Sequence, residues 1–165
     1  MKIKSFSDVI TNSSTEVFLI KRDDTFFELL KTFNVNPDTF KFIESEDEIK
    51  DILLKGIASK KENKWCDEYD DFGELLNIVL DSNYNPFYCQ YSCENDICES
   101  VIWRVMKNEL GKTDEEIIDF FMPLFAKTIG YCTYSYCSEG MCNPDEETLN
   151  ILDMVYKGGY ERFSD

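Results

Sequence analysis

Hydrophobic positions recur along this chain in two rhythms, one of strands and one of helices. Val17 to Ile20 are apolar without a break, as in a strand. Before them lie an alternating stretch from Lys2 to Ile10 and the turn-forming Thr11-Asn12-Ser13-Ser14-Thr15-Glu16, so a β-hairpin over residues 2–22 is expected. Asp23-Asp24-Thr25 then introduces Phe26, Phe27, Leu29, Leu30 and Phe33 at helical spacing, and Pro37 breaks that helix. Residues 39–43 read as a strand. Ser45-Glu46-Asp47-Glu48 is a capping box, opening a helix through Ile49, Ile52, Leu53 and Ile57 to about Ser59. After a polar loop over 60–64, Phe72, Leu75, Leu76, Val79 and Leu80 mark the next helical face.

The second half repeats the alternation. A strand is expected from Phe87 to Ser92, then a helix from Ile97 to Leu110 with Val101, Ile102, Val105 and Met106 inward and Gly111 at its end. A capping box at Thr113-Asp114-Glu115-Glu116 opens a very apolar helix carrying Ile117, Ile118, Phe120, Phe121, Leu124 and Phe125, which Pro123 should kink or shorten. Ile129 to Tyr136 reads as a strand. Asn143-Pro144 then begins a last helix carrying Leu149, Ile151, Leu152, Met154 and Val155 towards Gly158-Gly159. Helices in blocks favour an α+β fold over a doubly wound sheet: one domain over residues 1–165, with a small, mainly antiparallel sheet and about six helices.

Charge narrows the function classes. The chain has 33 acidic and 17 basic residues, a formal net charge of -16. Such a field repels nucleic acid and anionic membrane and attracts basic surfaces, so the expected partner is a basic protein surface. Candidate interaction residues are Glu46, Asp47 and Glu48, then Asp67, Glu68, Asp70 and Asp71, with a further acidic run from Asp114 to Asp119, arrays that can imitate a phosphate backbone. The cluster at 67–71 lacks the ordered Asp-x-Asp-x-Asp-Gly of a calcium loop and reads as a solvated helix start. Histidine is absent, which removes Ser-His-Asp and Cys-His catalysis and histidine-ligated metal sites. No apolar run approaches the roughly 20 residues that cross a bilayer. The N-terminus also lacks the apolar core of a signal peptide, so a cytoplasmic protein is expected.

Six of the seven cysteines fall in two similar segments. Tyr88-Cys89-Gln90-Tyr91-Ser92-Cys93 is followed by Cys98, and Tyr131-Cys132-Thr133-Tyr134-Ser135-Tyr136-Cys137 by Cys142. If the two strands pair, Cys89, Cys93, Cys98, Cys132, Cys137 and Cys142 offer enough thiolates for zinc or an iron-sulfur cluster. Their spacings are not the Cys-x2-Cys knuckles of zinc ribbons, and buried thiols acting as small hydrophobes are the favoured reading.

Near the N-terminus, Asp8-Val9-Ile10-Thr11-Asn12-Ser13-Ser14-Thr15-Glu16-Val17-Phe18 resembles a Thr-Asn-Ser-Ser-Ser-type signature of a scattered set of uncharacterised proteins from bacteria and their phages. Thr15-Glu16 stand where the serine run continues in that set. The resemblance implies a phage or mobile-element setting and carries no activity. Ser13, Ser14 and Thr15 lack the glycines of a phosphate cradle and a histidine base, so a hydroxyl-rich turn, or a box between Ser13 and Glu16, is the simpler expectation. Two functions follow. The favoured one is a small acidic cytosolic interaction protein that binds a basic surface of a host or defence protein; the other is a cysteine-ligated metalloprotein with a structural or redox role, and hydrolase or transferase activity through Ser13, Ser14 or the acidic clusters is left open as the weakest reading.

Overall fold

A computed structural model describes residues 15–80, 87, 97–137 and 144–164. Three antiparallel strands form its sheet: β1 (Thr15–Lys21), β2 (Tyr131–Cys137) and β3 (Glu161–Ser164), in the order β2-β1-β3. Six helices complete it: α1 (Asp24–Phe33), α2 (Glu46–Lys61), α3 (Asp67–Leu80), α4 (Val101–Arg104), α5 (Asp114–Phe125) and α6 (Glu146–Gly158). The fold is α+β.

The unbroken apolar run of β1 has a structural cause: helices cover both faces of the sheet. Phe18 and Ile20, opposite Tyr134 and Cys132, pack with Phe26 and Leu30 of α1 and Ile151, Met154 and Val155 of α6. Leu19 and Tyr131 point the other way, against a second core built from α2, α3, α4 and α5. That core holds Ile49, Leu53, Tyr69, Phe72, Trp103, Ile117 and Phe125, all nearly or fully inaccessible.

Helix starts follow the polar signals closely. Asp23, Ser45, Thr113 and Asp145 each accept a hydrogen bond from a backbone N–H in the first turn of α1, α2, α5 and α6. At α5 the box is reciprocal, Glu116 accepting from the Thr113 N–H at 2.9 Å. At α2 the return bond shifts by one residue, and Glu48 accepts from the Glu44 N–H at 2.7 Å.

Several expectations need correction. The first strand of the hairpin lies outside the described residues, and β1 is paired along its two edges by the distant β2 and β3. Thr15 and Glu16 belong to β1, so Glu16 closes no capping box. It accepts from the Tyr156 hydroxyl at 2.5 Å and pairs with Arg162 at 3.3 Å, tying α6 and β3 to β1. Residues 39–43 are no ladder strand: a short helical turn occupies Pro37–Thr39, and Ile43 alone bonds the start of β2, through Gly130 and Tyr131. Helix α2 runs on to Lys61, two residues past the expected end and into the polar segment. The helix expected over 97–110 is divided into a turn at Ile97–Glu99, the short α4 and a π turn at Val105–Glu109. Trp103 rather than Val101 faces the core, Val101 being 63% exposed. Pro123 sits within the final turn of α5, which continues to Phe125. The strand expected over 129–136 begins at Tyr131, after Ile129 closes a helical turn. The last helix is capped by Asp145, not by Asn143. Strand β3 is absent from the sequence reading because Glu161-Arg162-Phe163-Ser164 is short and mostly polar, as an edge strand tends to be.

Candidate functional site

Two adjoining clefts open where the 39–43 segment crosses the α2–α3 pair. One, of about 280 Å³, is lined by Lys41, Glu48, Glu68 and Asp71 over an apolar floor of Ile43, Ile52, Phe72 and Leu75. The other, of about 600 Å³, shares Lys41, Glu68 and Asp71 and adds Trp65, Cys66, Asp67, Glu62, Lys55 and Lys64. Helix α3 sets this arrangement. Its one-turn spacing puts Asp67, Glu68 and Asp71 on the side of the helix turned to the clefts, while Tyr69 and Phe72 are buried.

Charge across the clefts is unbalanced. Lys55 pairs with Asp51 at 2.6 Å and Lys64 with Glu62 at 2.5 Å. With those lysines engaged, Lys41 is the remaining lining cation among the described residues, facing Glu48, Asp67, Glu68 and Asp71. Asp71 registers the imbalance: its carboxyl is held above the ordinary range, first by partial desolvation and then by the neighbouring Asp67 and Glu68, against the pull of Lys41. Beside these carboxylates stands Trp65, 73% exposed. A large aromatic surface at the rim of an acidic cleft suits the alkyl and cationic parts of a lysine or arginine side chain.

The expected interaction residues are therefore divided. Glu48, Asp67, Glu68 and Asp71 come together in the clefts; Asp70 is half-buried and outside their lining; Glu46 and Asp47 lie exposed on the first turn of α2. Glu44 is paired with Arg22, and Asp114 with Lys61 and Lys107, so neither adds to the acidic patch. Sequence reasoning missed Trp65 and Lys41, which only the α2–α3 packing brings beside the carboxylates.

The cysteine segments are dispersed where they are described. Cys132 lies in the core against α1 and α6, and burial pushes its thiol up to about 12. Cys137 is five positions further along β2 and so on the opposite face, about 17 Å away at the rise of a strand. Cys98 belongs to the other core, its Sγ 3.1 Å from the Tyr69 hydroxyl. The sheet separates it from Cys132. No group of three or more Cys, Asp or Glu side chains among the described residues is placed to hold a metal ion. Cys89, Cys93 and Cys142, like Asn12, Ser13 and Ser14, lie outside the described residues. No helix among them is long and apolar enough to cross a membrane.

Comparison with protein families, curated proteins and solved structures finds no match to the chain.

Proposed function

We propose that this protein is an acidic binding protein that docks on a basic surface of a host or defence protein in the cytoplasm, in the phage or mobile-element setting implied by its N-terminal resemblance. The observation that carries the reading is the pairing of exposed Trp65 with the unbalanced carboxylates Glu48, Asp67, Glu68 and Asp71 in one pair of clefts. Tryptophan is over-represented among residues that dominate binding energy, and a rim of like charge steers an oppositely charged partner and sets its orientation. A lysine or arginine entering the cleft would lie on the indole and lower the mutual repulsion around Asp71. The surrounding net charge of -16 adds long-range attraction.

Immobilised full-length protein tests the reading directly. Bacterial lysate is passed over wild type, Trp65→Ala and the double variant Glu68→Gln/Asp71→Asn, and retained proteins are identified by mass spectrometry. One or a few basic proteins should be retained by wild type, elute with salt, and be lost from both variants, with Trp65→Ala weakening a purified complex by about tenfold or more. Equal retention by wild type and variants, or none at all, sinks the proposal.

A further inference from the structure

We infer that a second pocket, between the C-terminal end of α2 and the α4–π turn, binds a small phosphorylated anion such as pyrophosphate or a phosphomonoester. Its lining reverses the charge of the molecule: Lys60, Lys61, Arg104 and Lys107 converge on a cavity of about 270 Å³, with Asp114 the only acidic residue lining it among those described. Four of the chain's 17 basic residues meet here, in a protein otherwise dominated by acids. Solubility does not require that concentration of cations, and mutual repulsion opposes it.

The cations are also held in place. Asp114 accepts from Lys61 at 3.0 Å and from Lys107, so one carboxylate fixes two ammonium groups without neutralising both. Partial burial alone pushes the Asp114 carboxyl up, and the hydrogen bonds from Lys107 and Lys61 outweigh it and hold the carboxyl below the ordinary range. Lys60 carries its ammonium 5.2 Å from the centre of the Tyr69 ring. Each ammonium has three N–H donors, more than these contacts use at Lys61 and Lys107. Arg104, exposed, adds a planar fork that matches two oxygens of a phosphate. Trp103, 2% exposed, supplies a rigid apolar wall.

Backbone geometry gives an independent pointer. Residues Val105–Glu109 form a π turn, with Leu110 N–H donating to the Val105 carbonyl at 3.2 Å. Such widened turns are rare and concentrate at functional sites. This one carries Lys107 and follows directly on Arg104. The cavity lies just below the roughly 300–1,000 Å³ range of ligand pockets, so the ligand is compact. Among the described lining residues the cations outnumber the one carboxylate, which calls for a multiply charged one.

The test uses 31P relaxation and calorimetry of pyrophosphate titrated into the full chain, with sodium chloride at matched ionic strength as the reference. Saturable binding is expected. Arg104→Gln and Lys60→Gln, which leave the Asp114 clamp intact, should each weaken it roughly five- to tenfold. Lys31→Gln, the same charge change on the distant α1, should leave it within about twofold, and a thermal melt of each variant confirms folding. No response beyond that of chloride overturns the inference, as does equal weakening by Lys31→Gln, which would mark a general charge effect.

Discussion

At the scale of single residues, Cys132 shows how a position can look chemical and act structurally. Strand alternation puts Cys132 and Tyr134 on one face of β2, and that much follows from the sequence alone. What the sequence leaves open is which layer that face meets; here it is the apolar side of α1 and α6. Desolvation there pushes the thiol up to about 12. The sign of its pH effect follows. A thiol whose pKa is raised by folding contributes stability that is complete below its unfolded pKa, about 8.5, and is lost as pH climbs towards 12. Chemical denaturation across that alkaline range should therefore show wild type losing more stability than Cys132→Ala. At neutral pH, Cys132→Ser should cost about 1–3 kcal/mol, because it buries a hydroxyl among apolar side chains. An unchanged denaturation midpoint for Cys132→Ser would mean that water or a polar partner reaches the site. The dispersed thiols illustrate a wider limit: cysteine spacing gives chemistry only when topology brings the copies together, and among the described residues Cys98 packs in one core and Cys132 in the other.

At the scale of elements, the legible features were those with local causes. Caps at Ser45 and Thr113 act within one turn, so they could be read residue by residue. The features that escaped depend on distant packing: β3 exists because Glu16 to Leu19 offer it an edge, and the divided helix puts Trp103 in the core where regular helical periodicity favoured Val101, while Met106 is buried as expected. Gly56 is a third such case. By propensity alone it weakens the middle of α2 by about 1 kcal/mol relative to alanine. Its purpose is visible only against α3, because a Cβ built at Gly56 would overlap the Tyr69 ring, which lies fully buried between the helices. Gly56→Ala should therefore destabilise the fold by about 1–3 kcal/mol despite the gain in propensity. Tyr69 also bonds Cys98 and lies under Lys60, so the same substitution should weaken pyrophosphate binding. A more stable Gly56→Ala protein would show that α2 and α3 can separate without loss.

At the scale of the whole molecule, the acids are more than the bases can pair. Ion pairs such as Lys50–Asp119 at 2.8 Å and Lys61–Asp114 at 3.0 Å link α2 to α5, but exposed pairs contribute only about 0–1 kcal/mol each. Even if every one of the 17 basic residues were paired, 16 negative charges would remain to repel one another. Repulsion between unpaired surface charges acts over longer distances than a contact pair, so salt screens it more completely. Raising sodium chloride from about 10 mM to 150 mM shortens the screening length from about 30 to about 8 Å. The thermal midpoint should rise over that interval, the opposite of a fold held by its surface ion pairs. The same interval should weaken a complex with a basic partner, because its attraction is screened too. Stability and binding would then move in opposite directions with one variable. A midpoint that falls with salt would place the contact pairs, not the net charge, in control, and would remove the long-range attraction from the argument for a basic partner, leaving Trp65 and its adjoining carboxylates to account for binding by contact alone.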